Sequence, residues 1–329
     1  IYLSKKFYKA QNSGNSLNQQ IDSEYVDDIK KRVKLHRKLK VVIDSGNGTC
    51  GPVAHQLLEK LGCIVVSLFE DMGSAFLNHP ADPHNPANLK WLQEEVIRQK
   101  ANLGIAFDGD GDRAGFVDEK GNIIREDDVC VLFLKHELQK RKGAIIYDLR
   151  LSGSVPEQTK LLKGKAIISK AGRIAIRDNL IKNKALFGGE VSGHYFFSDH
   201  FGMDDGIYAG AKMVEIVSQM NSSISEAIKQ IPHYPATPEL RIHCENEKKV
   251  NVVESIKNSL KKKYAKQVLT IDGVLLKLAD SWGLVRVSNT EPAITLRFEG
   301  KTKRSLKEVH AIFSKLLKIE GISLPSLKS

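Results

Sequence analysis

The run Phe107-Asp108-Gly109-Asp110-Gly111-Asp112-Arg113 contains three aspartates that alternate with glycines and are followed by an arginine. The residues before it, 101–107, have the composition of a buried strand. The carboxylates therefore follow the C-terminal end of that strand, where sites in α/β sheets usually lie. Bare carboxylates repel one another, and the glycines let the backbone curl so that all three point inward. The run predicts a site for a hard divalent cation, Mg²⁺, Mn²⁺ or Ca²⁺, with Asp108, Asp110 and Asp112 as ligands.

Two other structures could explain the same run. One is a solvated acidic turn that follows a strand and binds nothing. The other is an EF-hand calcium loop, because Glu119 occupies the twelfth position counted from Asp108. Arg113, however, stands where an EF-hand loop requires glycine for its sharp turn. The EF-hand is therefore set aside, and the cation site is preferred to the acidic turn.

The composition is that of a globular protein with two or three domains: 329 residues, of which 41% are hydrophobic and 27% charged. The sequence has no apolar run long enough to span a bilayer and does not open with a secretory signal. Its four cysteines are widely spaced, which is typical of neither a zinc site nor a disulfide framework and indicates a reducing cytoplasm. The net charge of +11 comes largely from basic clusters at helical spacing, which indicate solvated helix faces and not nucleic-acid binding.

A glycine-rich turn joins the first predicted strand, 40–44, to a predicted helix, 52–61. Gly46, Gly48 and Gly51 have the spacing G-x-G-x-x-G, and an acidic pair follows about twenty residues later. This is the fingerprint of dinucleotide binding, so an NAD-linked oxidoreductase is one hypothesis for the chain. The other interpretation is that the glycines only allow a tight turn from strand to helix. The fingerprint alone does not account for the aspartate run or for the two motifs described next.

A second α/β unit is predicted for residues 123–233, and its last strand, 185–187, leads into Gly188-Gly189-Glu190-Val191-Ser192-Gly193-His194. Glu190, Ser192 and His194 are expected to alternate on one face of an extended loop and offer a carboxylate, a hydroxyl and a titratable donor. A carboxylate can accept hydrogen bonds from two neighbouring hydroxyls of a sugar. By itself Glu-x-Ser-x-His fits a structural turn better, but at the same sheet end as the aspartates it predicts a sugar-binding loop.

The last unit, residues 234–329, contains a strand and a turn with the sequence Arg286-Val287-Ser288-Asn289-Thr290-Glu291-Pro292. Period-two alternation places Arg286 and Ser288 on one face of the strand. Asn289 and Thr290 add donors at the turn, and the returning strand is expected to bring Arg297 near it. Arginines, hydroxyls and turn amides that converge in this way bind a phosphate. A surface hairpin with ordinary polar residues is the alternative.

The three motifs, in this order, resemble those of the α-D-phosphohexomutase family, and most closely its phosphomannomutase/phosphoglucomutase branch. That family has a similar metal loop, a Gly-Glu-x-Ser-Gly-His sugar loop and a phosphate loop. In this branch the phosphate loop reads Arg-x-Ser-Asn-Thr-x-Pro, whereas the glucosamine branch usually has Ser-Gly-Thr. Family members also open their second domain with Asp-x-Gly-Asn-Gly, which is similar to residues 44–48 here. The resemblance therefore favours a structural role for the glycine turn.

The resemblance implies an α/β fold of two consecutive mixed-sheet domains, at residues 39–122 and 123–233, followed by a C-terminal α+β domain at 234–329. It implies phosphate transfer between the 1- and 6-positions of a hexose phosphate, Mg²⁺ as cofactor, glucose or mannose phosphates and hexose 1,6-bisphosphate as ligands, and the cytoplasm as location. It assigns the metal to Asp108, Asp110 and Asp112. It assigns catalysis to Arg113, Arg150, Arg173 and His194. It assigns substrate binding to Glu190, Ser192, His194, Arg286, Ser288, Asn289, Thr290 and Arg297.

Two features depart from the family pattern. The family's first domain carries a serine, in Thr-Ala-Ser-His-Asn-Pro, that is phosphorylated and supplies the metal's fourth ligand, whereas His-Asn-Pro occurs here only at 84–86 and without a serine. Arg150 and Arg173 stand where the branch has a lysine and a histidine, and neither arginine can move a proton at neutral pH.

We therefore expect a phosphohexomutase chain in which residues 1–38, polar apart from a short amphipathic helix at 21–33, are the remnant or linker of a missing first domain. Such a chain is expected to be inactive by itself, and a separately encoded domain could supply the serine. A sugar-phosphate-binding module without catalysis and the NAD-linked oxidoreductase are the alternatives.

Overall fold

The computed structural model describes residues 12, 14–73, 78–288 and 290–327. The first unit consists of α1 (Asp22–Arg32), β1 (Lys40–Asp44), α2 (Gly51–Lys60), β2 (Ile64–Leu68), α3 (Lys90–Gln99), β3 (Leu103–Phe107), β4 (Ala114–Val117) and β5 (Ile123–Ile124). Its sheet has the order β2-β1-β3-β4-β5, with β1, β2 and β3 parallel and the β4–β5 hairpin antiparallel. The aspartate run therefore connects the central parallel strand β3 to the antiparallel hairpin.

The second unit consists of α4 (Glu126–Lys140), β6 (Ala144–Asp148), α5 (Ser154–Leu161), β7 (Lys165–Ser169), α6 (Arg173–Lys182), β8 (Phe187–Gly189), β9 (Tyr195–Phe197), α7 (Gly206–Gln219) and α8 (Ile224–Lys229). Its sheet has the order β7-β6-β8-β9. The prediction of a strand at 185–187 is wrong by two residues, because Ala185 N–H still bonds to Leu180 of α6 and, although Leu186 N–H donates to the Ala144 carbonyl, the register with β6 begins at Phe187. The short β9 and α8 were not among the predicted elements.

The third unit consists of β10 (Leu240–His243), α9 (Asn246–Tyr264), β11 (Val268–Leu269), β12 (Val274–Lys277), β13 (Ser281–Val287), β14 (Ala293–Gly300) and α10 (Lys303–Ile319). Its antiparallel sheet has the order β10-β14-β13-β12-β11. The sequence of this unit predicts three strands between its two helices, whereas the structure has four. The additional one, β11, has only two residues and is too short to show a periodic pattern.

The first two units share one hydrophobic core, to which α4 contributes on both sides. The ring of Phe133 in α4 lies 6.1 Å from that of Phe116 in the first unit and 5.6 Å from that of Phe187 in the second. The predicted helix at 21–33 is confirmed as α1, and its Val26 and Ile29 are fully buried in this same core. The loops that follow β3 and β8 are therefore carried by one continuously packed body.

The third unit has a core of its own, formed between its sheet and the helices α9 and α10. It meets the second unit through a small apolar group that contains Leu149, Trp282 and Leu284. Beside this group the Glu299 carboxylate accepts hydrogen bonds from Gly153 N–H (2.8 Å) and from the Trp282 indole N–H (2.9 Å). The predicted domain boundaries at 38, 122 and 233 stay predictions. In the part of the chain that is described, no helix is long and apolar enough to cross a membrane.

Candidate functional site

The aspartate run forms a loop at the C-terminal end of β3, called the metal loop below. Asp108, Asp110 and Asp112 each offer a carboxylate oxygen, and these three oxygens lie within 4.8 Å of one another. Asp108 is buried, Asp112 is half-buried and Asp110 is exposed. An all-oxygen group that is open on one side suits a hard cation that keeps part of its water shell. The donor set and its geometry therefore fit Mg²⁺.

Contacts within the metal loop and from two other segments hold it in place. Arg113 donates its backbone N–H to Asp108 Oδ1 (3.0 Å) and its Nε–H to Asp108 Oδ2 (2.7 Å). The N–H of Gly206, the first residue of α7, donates to the carbonyl of Gly111 (2.9 Å). A Cβ at Gly206 would lie 2.6 Å from the Arg113 carbonyl oxygen, so glycine is required for α7 to approach this closely. Thr49 N–H donates to the carbonyl of Gly109 (3.0 Å).

The contact from Thr49 explains the glycine-rich turn. A Cβ at Gly48 would lie 2.8 Å from the Gly109 carbonyl oxygen, and Gly46 has a left-handed backbone, with φ of +50°. The glycines at these positions allow the turn between β1 and α2 to pack directly against the metal loop. This geometry supports the structural interpretation of the G-x-G-x-x-G spacing.

Residues 190–194 form a tight turn between β8 and β9, called the sugar loop below. The prediction of an extended loop is wrong: Gly193 N–H donates to the Glu190 carbonyl (3.1 Å), and Gly193 has φ of +77°. The turn nevertheless brings the three predicted side chains together. His194 Nδ1 lies 2.9 Å from Ser192 Oγ and 3.2 Å from Glu190 Oε2.

Glu190 is the best-connected carboxylate of the sugar loop. Its Oε1 accepts hydrogen bonds from Gly172 N–H (2.7 Å) and from Arg150 Nη2 (3.2 Å). Burial alone would raise the pKa of Glu190, but the hydrogen bond with His194 and the charge of Arg150 outweigh it and lower the pKa to about 2. Glu190 is therefore ionised at neutral pH and can accept hydrogen bonds from sugar hydroxyls.

The metal loop and the sugar loop meet at Asp112. His194 Nε2 lies 3.4 Å from Asp112 Oδ1. Arg173, the first residue of α6, places Nη1 2.5 Å from Asp112 Oδ2 and Nε 3.4 Å from Asp204 Oδ2. The backbones also touch, because Ala114 N–H donates to the Gly193 carbonyl (3.2 Å). Three residues predicted for metal binding and catalysis, Asp112, Arg173 and His194, thus form one cluster.

The predicted phosphate turn joins β13 and β14 in the third unit, and Asn289 lies outside the described residues. Ser288 Oγ accepts the Glu291 N–H (3.2 Å), and Thr290 is exposed. Arg286 pairs with Asp272 at 2.9 Å, and its Nε is buried without a hydrogen-bond partner among the described residues. The described residues therefore satisfy only part of the hydrogen-bonding capacity of the Arg286 guanidinium.

Arg297 shares a sheet face with Arg286, because the β13–β14 register pairs Arg286 with Thr295 and Leu284 with Arg297. Its side chain does not turn toward the phosphate turn. Arg297 Nη2 lies instead 3.5 Å from Asp127 Oδ2, at the start of α4 in the second unit. Its predicted role in substrate binding stays a prediction, and the structure gives it a contact between units.

Three family models match consecutive parts of the chain. They are described as phosphoglucomutase/phosphomannomutase alpha/beta/alpha domain II (residues 23–121), alpha/beta/alpha domain III (125–234) and C-terminal domain (239–316). The phosphomannomutase/phosphoglucomutase of Pseudomonas aeruginosa PAO1 is 37% identical over 317 residues, which are 95% of this chain and 68% of that protein. The chain belongs to the phosphoglucomutase/phosphomannomutase family.

Other relatives agree with this assignment. The protein of the same name from Pseudomonas syringae pv. tomato is 39% identical over 89% of this chain and 63% of its own length. A crystal structure of a family protein from Burkholderia thailandensis superimposes with a TM-score of 0.85 at 35% identity, covering 93% of this chain and 66% of that one. The chain thus spans 63% to 68% of the length of these relatives. The predicted family and fold class are confirmed.

The two arginines that depart from the family pattern have different surroundings. Arg150 is largely buried, pairs with Asp148 and Glu190, and lies 3.7 Å from Glu239 of the third unit. Burial opposes its charge, but these carboxylates raise its pKa further above the ordinary value. Arg173 is 54% exposed and pairs with the carboxylates of Asp112 and Asp204. Their predicted catalytic roles stay predictions.

Sequence reasoning missed two residues that the structure places at these sites. Asp204 comes close to Asp112 only through folding, and its neighbour Asp205 has the recognisable signal of a helix N-cap, with its carboxylate accepting Tyr208 N–H. Lys249 in α9 donates to the carbonyls of Ser288 (2.8 Å) and Glu291 (3.0 Å) and so supports the phosphate turn. Neither Asp204 nor Lys249 belongs to a local sequence motif.

Proposed function

We propose that this chain provides the metal, sugar and phosphate sites of a phosphohexomutase that transfers phosphate between the 1- and 6-positions of glucose or mannose phosphates. The observation that carries the proposal is the 3.4 Å separation between His194 Nε2 and Asp112 Oδ1. A sugar held by Glu190 and Ser192 would present its phosphate beside both the histidine and the metal loop. Two structures with the same fold belong to the N-acetylphosphoglucosamine mutase of Aspergillus fumigatus. One was solved in complex with GlcNAc-6P and magnesium, and the other, a serine-to-alanine variant, in complex with glucose 1,6-bisphosphate.

The residues of the chain have separate roles in binding the metal, the sugar and the phosphate. Asp108, Asp110 and Asp112 would hold Mg²⁺, which when bound supplies positive charge beside the transferring phosphate. Glu190 and Ser192 orient the sugar through its hydroxyls, and His194 donates a hydrogen bond to the reacting phosphate. Arg286, Ser288, Asn289 and Thr290 bind the phosphate at the other end of the substrate.

The phosphate must also be handed over by a nucleophile held in line with the sugar oxygen. The serines of the three motifs are better explained as ligand donors, since Ser192 Oγ contacts His194 and Ser288 Oγ accepts the Glu291 N–H. We therefore assign the nucleophile to a phosphoserine domain of the Thr-Ala-Ser-His-Asn-Pro type, a partner that meets the metal loop.

The test is a coupled assay for conversion of glucose 1-phosphate and mannose 1-phosphate to their 6-phosphates, with Mg²⁺ and a trace of glucose 1,6-bisphosphate. The 329 residues alone are expected to bind both substrates without turnover, and turnover should appear when the first domain of a relative is added. Turnover by these residues alone would contradict the assignment of the nucleophile. Binding without turnover in both cases would favour a sugar-phosphate-binding module.

The metal site has its own test. Asp110→Asn removes an exposed carboxylate, so it should weaken Mg²⁺ binding by roughly 10-fold or more while leaving the melting temperature unchanged. Titration calorimetry measures the affinity. The control is Asp280→Asn, which removes an equal charge from an exposed loop of the third unit. Equal Mg²⁺ affinity in wild type and Asp110→Asn would rule the metal loop out as the site.

A further inference from the structure

Arg173 connects the second unit to the metal loop of the first. It is the first residue of α6, and its guanidinium lies between two carboxylates, at 2.5 Å from Asp112 Oδ2 and 3.4 Å from Asp204 Oδ2. A guanidinium is charged at every physiological pH. Asp112 is therefore already paired with a fixed positive charge that belongs to the chain itself.

Asp112 differs in this respect from the other two predicted metal ligands. Asp108 is bonded by Arg113, which belongs to the same loop and keeps the loop folded. Asp110 has no ion pair with any residue that the structure describes. Asp112 faces Arg173 with Oδ2 and His194 with Oδ1, and both of these come from the second unit. Among the three, Asp112 is the ligand whose pairing with another unit must change for a cation to bind.

The charges around Asp112 favour a competition between Arg173 and the cation over an ion pair that stays in place when the cation binds. A divalent cation held by the three carboxylates would lie within a few ångströms of the guanidinium, and like charges at that distance repel even in a watery environment. The Arg173 side chain is 54% exposed, so its ion pair with Asp112 is weak and its release into solvent costs little.

Asp204 can accept a hydrogen bond from the Arg173 guanidinium once the guanidinium leaves Asp112. The Asp204 side chain is only 5% exposed, and its Oδ2 accepts no hydrogen bond from the described residues. A buried carboxylate oxygen in this condition is unfavourable until it accepts a hydrogen bond. A shift of Arg173 away from Asp112 and toward Asp204 would satisfy this oxygen.

We propose that Arg173 is a competitor of the divalent cation: it occupies Asp112 when no metal is bound and must move to Asp204 for the metal to bind. The inference rests on the metal site of the proposed function. In this role Arg173 sets the affinity for the cation, and this role is separate from any part that Arg173 has in the phosphate transfer.

The experiment is a titration with Mn²⁺, in which the electron paramagnetic resonance signal reports the free ion. Arg173→Gln is expected to bind Mn²⁺ about three- to tenfold more tightly than wild type, because the competing charge is gone. Arg173→Lys keeps a charge and should restore most of the wild-type affinity. The control, Lys182→Gln, removes a charge from the exposed end of the same helix, about 13 Å away along its axis, and should leave the affinity unchanged.

A second measurement uses the wild-type chain and does not depend on how a variant folds. Phenylglyoxal modifies free guanidinium groups, and peptide mass mapping locates the modified residues. Saturating Mg²⁺ should change the rate at which phenylglyoxal modifies Arg173 by about twofold or more. The exposed Arg241 of the third unit is the internal reference, and its rate of modification should stay constant.

The outcomes separate this inference from the proposed function. If wild type and all variants bind Mn²⁺ with the same constant, or if Lys182→Gln gains as much as Arg173→Gln, the competition is wrong and the metal site stands. If none of the proteins binds Mn²⁺, the metal site of the proposed function is wrong, and this inference falls with it.

Discussion

The metal loop and the phosphate turn are both polar segments at strand ends, but they are held in different ways. Backbone groups of Thr49 and Gly206 bond the metal loop, and the residues on either side of it, Phe107 and Ala114, belong to the core shared by the first two units. The phosphate turn is supported by Lys249 and by its own hairpin, in a unit that has a separate core.

Because of this difference, substitutions in the two regions should have different effects on stability and on ligand binding. Substitutions of residues that pack against the metal loop, such as Gly206, should disturb packing and ligand binding together, since their contacts position the loop. Substitutions in the phosphate turn should affect ligand binding with little effect on the free energy of unfolding. The predictions below test this contrast, beginning with the largest expected effect.

The first prediction concerns Arg286. Arg286→Ala should raise the dissociation constant for glucose 1-phosphate by about 30- to 1,000-fold, equivalent to roughly 2–4 kcal/mol, because the phosphate loses a charge-assisted partner. The free energy of unfolding should change less, since the loss of the pair with Asp272 is offset by removal of an Nε–H that is buried without a hydrogen-bond partner among the described residues. Calorimetry and urea denaturation measure the two quantities.

Arg304→Ala is the matched control for Arg286→Ala, because Arg304 is an exposed arginine on α10 of the same unit and pairs with Glu308. It should leave both quantities unchanged. An unchanged dissociation constant for Arg286→Ala would remove the assignment of the phosphate turn, and a large loss of stability would remove the contrast between the two regions.

The second prediction concerns the acid stability contributed by Glu190. Its pKa is lowered from 4.5 to about 2 in the folded chain, so its stabilising contribution is complete above pH 4.5 and is lost as the pH falls toward 2. Between pH 5 and 2, wild type should therefore lose roughly 2–3 kcal/mol more of its free energy of unfolding than Glu190→Gln does.

Urea denaturation at a series of pH values measures this difference. Glu254→Gln, at an exposed position of α9, should lose as much stability as wild type over the same range. Parallel curves for wild type and Glu190→Gln would show that the carboxylate is not held by Arg150, His194 and Gly172 as described.

The third prediction concerns Gly206. Gly206→Ala places a methyl group 2.6 Å from the Arg113 carbonyl oxygen, which must shift, so the chain should be destabilised by about 1–3 kcal/mol. Because the shift moves the metal loop, Mg²⁺ affinity should fall as well. Gly73→Ala is the control, since a Cβ there meets no atom of the described residues within 4 Å. A loss of stability without any loss of Mg²⁺ affinity would show that packing and binding are separable at this loop.

The smallest expected effect is none at all. NAD⁺ or NADP⁺ at micromolar concentration should produce no saturable change in protein fluorescence, because Gly46 and Gly48 pack against the 78–83 segment and the metal loop. Saturable binding would revive the oxidoreductase hypothesis.

The sequence predicts those parts of the site whose chemistry lies within a few consecutive residues. Asp108, Asp110 and Asp112 are recognisable because their spacing has few other uses, and Glu190 and His194 because their motif resembles that of a known family. Asp204 and Lys249 could not be predicted, since each acts through contacts with residues far away in the sequence. Pattern also fails where elements are short, as in β9 and β11, because two or three residues show no period.

Arg297 illustrates an intermediate case. The sequence predicts that the returning strand brings Arg297 near the phosphate turn, and the hairpin register places it on the same sheet face as Arg286. It does not predict that Asp127 of another unit lies within reach of the guanidinium. The direction of a strand residue is a local property, whereas its partner depends on how the units pack.

The position of Trp282 gives the protein a built-in optical reporter. The chain has only two tryptophans, Trp91 and Trp282, and Trp91 is 45% exposed. Trp282 is buried where the third unit meets the second, with its indole N–H bonded to Glu299. Indole emission responds to the polarity of its surroundings. In a Trp91→Phe background, the emission maximum of Trp282 would therefore follow any change in the angle between these two units as substrates bind.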